Sequence, residues 1–316
     1  MDIPAINRAF AARWNPDVIT PFDRFVVTGD SIPAGVGDDG VPVMVPERTA
    51  YNLYIDPLAG GGAGIYGFEQ MDESNAIGGQ AAWTHFGQRW SELTGRRSIW
   101  SSYAKSSSSI MKASSKYHWD YEFLEWLSVQ DGGHMLKEPA GNVYTETEGL
   151  LGRMFTADAI EKRYVIYAGG SFDAGALRAG VVTKQQITDK LIETFEWWRD
   201  SYGYDKLLII ESGVIGQTAQ EVAANQANPT GKDMVGLREA QNDACDNLNI
   251  VNVYSHAADP GDPFNTLAVT EEGYWESGHY NYDANGHYHG EMNAAIGKTA
   301  AYNLAVIEGY IEGSII

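Results

Sequence analysis

Short apolar runs alternate with amphipathic stretches along the chain, and this alternation constrains the fold more than any other feature. Five runs have the β-branched and aromatic composition of buried strands, at 24–28, 98–103, 164–168, 206–211 and 250–254. Between them, apolar residues recur at three- and four-residue steps over 81–93, 183–198, 234–248 and 291–307, which predicts helices. Such an order predicts a parallel sheet between two helical layers, with ligands bound beyond the carboxyl ends of the strands.

Three segments interrupt this alternation, at 40–77, 114–150 and 217–232. The first two are rich in glycine and aromatic residues, and the third is polar. We predict that all three are long loop insertions that shape a site on the sheet. A short second domain within 114–150 is the alternative. The whole chain, 1–316, is expected to form a single domain, because its length is within the range of one α/β domain with long loops.

Charge and composition exclude several classes of function. A net charge of −20 disfavours nucleic acids and anionic membranes as partners. No run approaches the roughly 18 apolar residues that a membrane span needs, and the N-terminal residues lack the apolar core of a signal peptide. The expectation is therefore a cytoplasmic protein, with a virion-associated or otherwise exported one as the alternative.

The single cysteine, Cys245, excludes an internal disulfide and a C-x-x-C metal or redox site. It lies at an apolar-periodic position of a helical stretch, so we predict that it is a small buried residue.

Candidate chemistry begins where the first predicted strand ends, in Gly29-Asp30-Ser31. A serine there can present its hydroxyl to a substrate while its backbone N–H helps to bind an oxyanion. The tripeptide is also typical of an ordinary turn, but its position after a strand favours a nucleophile. Near the other end of the chain, His279 follows Glu276 by three residues, which suits a base held by a carboxylate. Asp283 and Glu272 are alternative carboxylates.

Four separated blocks together resemble the GDSL-type (SGNH) hydrolases, and within them the carbohydrate-esterase branch that includes sialate O-acetylesterase and acetylxylan esterases. The blocks lie at 28–35, 83–110, 167–174 and 276–279, and 238–241 (Arg-Glu-Ala-Gln) also has a counterpart in that branch. The resemblance implies a three-layer α/β/α, flavodoxin-like fold with a five-stranded parallel sheet. It implies a serine esterase that removes O-acetyl or other small acyl groups from an acylated carbohydrate or small ester, without a cofactor.

The resemblance also assigns roles to residues of this chain. Ser31 would attack the ester carbonyl, His279 would accept the serine proton, and Glu276 would complete the triad. The oxyanion hole would be formed by the backbone N–H groups of Ser31 and Ser107, with Ser171 as the side-chain donor.

Two aspartates would order the catalytic loops by accepting hydrogen bonds from backbone N–H groups. They are Asp30, in the first block, and Asp173, in the third. For Asp173 an ordinary helix cap is the alternative.

The blocks depart from the family pattern at three places. Ser106 and Ser107 replace glycines, Glu276 replaces aspartate, and Phe172 stands where the family has a side-chain donor. A phenyl ring donates no hydrogen bond, and the loss of one such donor costs about 2.7–4 kcal/mol of transition-state stabilisation. These departures keep a second hypothesis open, a catalytically degenerate SGNH-fold module that binds carbohydrate or serves a structural role, for example on a virion.

A zinc site built on His279, His287 and His289, completed by Glu276 or Asp283, is a third hypothesis. If His287 and His289 open the last helix, their two-residue spacing directs the side chains to different faces. We therefore predict no metal.

Overall fold

The computed structural model of the chain describes residues 21–30, 50–56, 65–70, 82–102, 108–111, 113–114, 117–120, 125–128, 151–152, 155, 157–210, 233–248 and 290–315. The strands are β1 Phe22–Gly29, β2 Ala50–Asp56, β3 Ile65–Gln70, β4 Arg97–Ser102, β5 Ser108–Ser109, β6 Tyr117–Asp120, β7 Glu125–Ser128, β8 Ile160–Ala168 and β9 Lys206–Ile210. The helices are α1 Ala82–Thr94, α2 Ser171–Arg178, α3 Lys184–Tyr202, α4 Met234–Asn247 and α5 Gly290–Ile307, and a 3-10 turn spans Ala157–Ala159.

Among the residues that the structure describes, the main sheet has six strands in the order β3-β2-β4-β1-β8-β9. Neighbouring strands are parallel except for β2 and β3, which pair in antiparallel fashion. Strand β1 lies between β4 and β8, with β9 beyond β8, so these four strands follow the flavodoxin-like order. They correspond to four of the five predicted strands, which are thereby confirmed, and the fifth, at 250–254, lies outside the described residues.

The prediction of a purely parallel five-stranded sheet needs correction. Strands β2 and β3 lie within 40–77, where the sequence predicts a loop, and they add an antiparallel edge to the sheet. Likewise β6 and β7 lie within 114–150 and form a small second sheet with β5. The third predicted loop, 217–232, lies outside the described residues.

Two hydrophobic cores cover the two faces of the main sheet, because side chains alternate between faces along each strand. Phe25 and Val27 of β1 pack with the apolar faces of α1 and α5. Val26, between them, belongs to the opposite core, which is formed with α2, α3 and α4. The architecture is therefore three-layer α/β/α, as predicted.

The first core is unusually aromatic. The Phe25 ring stacks on Trp100 at 4.3 Å and on Tyr164 at 4.9 Å between ring centroids. The α1 side chains Trp83 and Phe86, predicted to share one face, are buried against this stack. These rings fix β1 between its two neighbours and so fix the place where β1 ends.

Local signals in the sequence set the ends of α3. The Thr183 hydroxyl accepts from the backbone N–H of Gln186 at 3.2 Å, and the Gln186 side chain accepts from the backbone N–H of Thr183 at 2.8 Å. This capping box satisfies N–H groups that have no partner inside the helix. Gly203, at φ 67°, ends the helix in the left-handed conformation.

At the amino end of the sheet, a buried ion pair joins β1 to the α1–β4 connection. The Asp23 carboxylate is fully buried and accepts from Arg96 Nε at 2.6 Å and Nη2 at 2.7 Å. Trp90 Nε1 also donates to Asp23, at 2.9 Å. Burial raises the pKa of Asp23 despite these partners, which lower it.

Cys245 is buried in the second core, as predicted from its position in the helical pattern. Within the described ranges, no helix is long and apolar enough to span a membrane.

Candidate active site

The candidate site is built where β1 and β8 end side by side. Their register pairs Gly29 with Ala168, so Asp30 and Gly169 leave the sheet together. The backbone N–H of Asp30 donates to the Ala168 carbonyl at 3.4 Å. A Cβ at position 169 would lie 2.8 Å from the Asp30 nitrogen, so the close approach of the two chains requires glycine at this position. The first and third sequence blocks therefore meet at one edge of the sheet.

The Asp30 carboxylate joins β1 to the start of α2. Its side chain is 2% exposed, and Oδ2 accepts from the backbone N–H groups of Gly170 and Ser171, each at 3.2 Å. Both N–H groups belong to the amino end of α2, where the helix has no internal acceptor for them. An anionic side chain at this end is also favoured by the helix dipole.

Asp173, in the first turn of α2, holds a second loop. Its carboxylate is fully buried and accepts from the backbone N–H of Ile110 at 2.9 Å and of Met111 at 3.1 Å. These two residues follow β5, and Ile110 is the last residue of the second sequence block. Three of the four blocks are thus tied together by two carboxylates that bond to backbone groups.

Opposing effects set the protonation of Asp173. Burial raises the pKa of this carboxyl, the N–H groups of Ile110 and Met111 and the Ser114 hydroxyl lower it, and the Asp30 carboxylate raises it further. Burial is the largest contribution, and the pKa of Asp173 is raised to about 7. The Asp173 carboxyl is therefore partly protonated near neutral pH.

A third contact comes from α4 on the other side of the site. Gln241, fully buried, donates through Nε2 to the Gly169 carbonyl at 3.0 Å. Arg238, one helical turn earlier, is 5% exposed. The sequence interpretation noted 238–241 for its resemblance but gave Gln241 no role. The signal that reveals it is a buried polar residue on the apolar face of α4, because such a side chain needs a hydrogen-bonding partner.

Gly170 makes the turn between β8 and α2 possible. Its φ is 109°, and a Cβ there would lie 2.8 Å from the Leu237 side chain. The next two residues are Ser171, which is partly buried, and Phe172, whose side chain is 39% exposed. Because the Ser171 N–H already donates to Asp30, the predicted contribution of Ser171 to an oxyanion hole would come from its hydroxyl.

The predicted triad of Ser31, Glu276 and His279 lies outside the described residues. So does Ser107, so two of the three predicted oxyanion donors, Ser31 and Ser107, are not described. The same holds for Asp283 and Glu272 and for the histidines of the zinc hypothesis, His287 and His289. Their roles stay predictions. In the described part of the chain, no group of three or more His, Cys, Asp or Glu side chains is placed to hold a metal ion.

Comparisons with known proteins concern the fold. No family model matches the chain, and no curated protein sequence matches it. A crystal structure of a protein from Arabidopsis thaliana is similar over 92% of this chain and 100% of its own, at 11% identity and a TM-score of 0.50. This similarity supports a shared α/β fold.

Two esterase structures are similar at lower TM-scores. A carbohydrate esterase family 2 enzyme with a carbohydrate-binding domain, from Corynascus thermopiles, matches 93% of this chain and 69% of its own, at 15% identity and a TM-score of 0.47. A carbohydrate acetylesterase from Sinorhizobium meliloti matches 90% of this chain and 99% of its own, at 12% identity and a TM-score of 0.45.

Proposed function

We propose that this chain is a serine esterase of the SGNH type that hydrolyses O-acetyl or other small acyl esters, with an acylated carbohydrate as its substrate. Ser31 is the nucleophile, His279 the base, and Glu276 the carboxylate that orients the base. The proposal follows the order and spacing of the four sequence blocks.

The observation that carries the proposal is the pair of carboxylate contacts at the carboxyl end of the sheet. Asp30 binds the N–H groups that open α2, and Asp173 binds the N–H groups that follow β5. An ordinary helix cap uses a residue before the helix to bond its own first turn, whereas Asp173 lies inside α2 and bonds a segment about 60 residues away in the chain. Such long-range contacts support the loop-ordering role proposed for Asp173.

The proposed reaction forms and breaks an acyl-enzyme. Ser31 Oγ attacks the ester carbonyl carbon while His279 accepts the hydroxyl proton, and the backbone N–H groups of Ser31 and Ser107 stabilise the oxyanion. The ester C–O bond then breaks, and His279 returns the proton to the leaving alcohol. Water activated by His279 hydrolyses the acyl–Ser31 bond and releases the free acid.

The side-chain contribution to the oxyanion hole is assigned to the Ser171 hydroxyl, because Phe172 has no donor. Phe172 is exposed at the start of α2, directly beside Ser171. We assign its ring a contact with the substrate, since a flat apolar surface at this position can pack against a sugar ring or an acyl group.

A hydrolysis assay with a small acyl ester, such as p-nitrophenyl acetate, tests the proposal with matched serine variants. Ser31→Ala removes the nucleophile and should reduce kcat by at least about 1000-fold. Ser201→Ala removes an exposed serine at the end of α3 and should leave the rate unchanged. The wild-type rate should also fall at acidic pH, because a protonated imidazole cannot accept the serine proton.

Equal rates for wild type and Ser31→Ala would reject the mechanism. The exposed Phe172, in the place of the expected donor, favours the degenerate carbohydrate-binding module as the second candidate. That candidate requires glycan binding by a chain that releases no acyl group even at high protein concentration. Release that depends on Ser31 would exclude it.

A further inference from the structure

A cavity of about 510 Å³ lies between α1 and α5. Its lining includes His85, Gln88, Arg89 and Glu92 from α1, and Lys298 and Tyr302 from α5. The volume is within the range of small-molecule sites. None of these residues belongs to the proposed esterase machinery, so the cavity needs an explanation of its own.

His85 supplies a buried polar group without a partner. It is 3% exposed, and its Nδ1 is buried with no hydrogen-bond partner among the residues that the structure describes. Burial, together with the nearby Lys298 charge, lowers the pKa of His85 to about 4, so the ring is neutral at neutral pH. A neutral imidazole carries one N–H donor, and a buried polar nitrogen gains from any ligand atom that bonds to it.

The lining has more positive than negative charge. Among the described residues of the lining, Glu92 is the one acidic residue, and both of its carboxylate oxygens accept hydrogen bonds, Oε1 from Gln88 Nε2 at 2.9 Å and Oε2 from Arg89 Nη1 at 3.1 Å. Arg89 keeps further N–H donors, because a guanidinium has five. Lys298 is exposed and forms no ion pair within the described ranges. The described lining therefore holds two cations, Arg89 and Lys298, and one carboxylate, an excess of one positive charge on a chain whose net charge is −20.

We propose that this cavity is a binding site for a small oxyanion of the phosphate or carboxylate type. Lys298 and Arg89 supply the charge that holds the anion, and His85 supplies a neutral N–H donor from the buried side. The positive excess disfavours a metal ion, and the charged donors distinguish the site from one for a neutral sugar. The site is independent of the proposed esterase reaction.

Calorimetric titration of the full chain at constant ionic strength tests this site, with inorganic phosphate and acetate as probes. Wild type should bind phosphate, and Lys298→Gln should weaken binding about tenfold, which corresponds to about 1.4 kcal/mol. Glu92→Gln should tighten binding, because it removes the one negative charge of the lining. Binding of acetate as well as phosphate indicates recognition of charge, whereas binding of phosphate alone indicates recognition of a tetrahedral anion.

A similar ion pair on α3 provides the controls. Lys190 and Glu193 have the same i, i+3 spacing as Arg89 and Glu92, at 3.3 Å, so Lys190→Gln and Glu193→Gln should leave phosphate binding unchanged. His85→Gln tests the buried donor directly, and in wild type phosphate should shift one imidazole NMR signal that this variant lacks. The proposal is overturned if wild type binds neither anion, or if Lys190→Gln weakens binding as much as Lys298→Gln does.

Discussion

Replacing Asp173 by asparagine removes a buried carboxylate while keeping the size and shape of the side chain. The folded chain holds the pKa of Asp173 at about 7, compared with an ordinary value of 3.8. Between these two pH values the folded state keeps a proton that the unfolded chain has lost. The stability that this proton contributes is therefore present at low pH and is lost as the pH rises through about 7.

The magnitude follows from the interval between the two pKa values. Each pH unit within it changes the free energy of unfolding by about 1.36 kcal/mol, so wild type should lose about 4 kcal/mol relative to Asp173→Asn between pH 4 and pH 7. Near pH 4 wild type should be the more stable protein by about 1–3 kcal/mol, because both Asp173 oxygens accept from backbone N–H groups and an asparagine amide leaves one of those donors without an acceptor. Above neutral pH the variant should be the more stable of the two.

Urea unfolding followed by fluorescence of the nine tryptophans measures this difference at pH steps from 4 to 8. Asp246→Asn, which changes an exposed carboxylate on α4, is the matched control and should stay within about 0.5 kcal/mol of wild type throughout. If wild type instead gains stability over Asp173→Asn as the pH rises, the N–H groups of Ile110 and Met111 outweigh burial. The reasoning about Asp173 would then be refuted.

Three further variants test other parts of the fold by thermal or urea unfolding. Gly170→Ala forces a side chain into a left-handed conformation and against Leu237, and it should destabilise the chain by about 1–3 kcal/mol; an unchanged Tm would contradict the geometry of this turn. Arg96→Ala leaves Asp23 buried without its cationic partner and should lower the free energy of unfolding by about 3–5 kcal/mol. A loss below about 1 kcal/mol would show that the pair contributes no more than an exposed surface ion pair does. Thr183→Ala removes the side-chain half of the α3 cap and should cost about 1 kcal/mol, with Thr183→Ser retaining most of that stability.

The sequence predicts the centre of the fold well because the central strands and helices are defined by local pattern. The four strands β1, β4, β8 and β9 were predicted to within a few residues, since buried strands have continuous apolar composition. The start of α3 and the buried position of Cys245 were likewise predicted from short-range spacing.

The two strands at the edge of the sheet, β2 and β3, were not predicted, and the sequence shows why. Strands β2 and β3 lie within 40–77, a segment rich in glycine. Their apolar residues nevertheless alternate, with Tyr51, Leu53 and Ile55 in β2, and a two-residue period is the usual signal for a strand with one buried face. The glycine content of the whole segment predicts a loop, whereas this local alternation correctly indicates a strand.

For two side chains at the candidate site, Asp30 and Asp173, the sequence predicted a kind of contact but not the partners. Asp30 and Asp173 were both expected to order loops through backbone N–H groups. Which N–H groups they bind depends on how the chain folds, because every non-proline residue carries the same donor. The long-range pairing of Asp173 with Ile110 and Met111 therefore follows only from the three-dimensional arrangement.

The carboxylates of Asp30 and Asp173 contact main-chain atoms of the segments they bind, and this leaves the side chains of those segments unconstrained by the contact. Met111, for example, can be exchanged for another residue while the amide that donates the hydrogen bond stays in place. Because backbone N–H groups make these contacts, the side chains that face the substrate can vary without weakening them. The substrate preference of this chain can therefore change while the hydrogen bonds that hold the site stay the same.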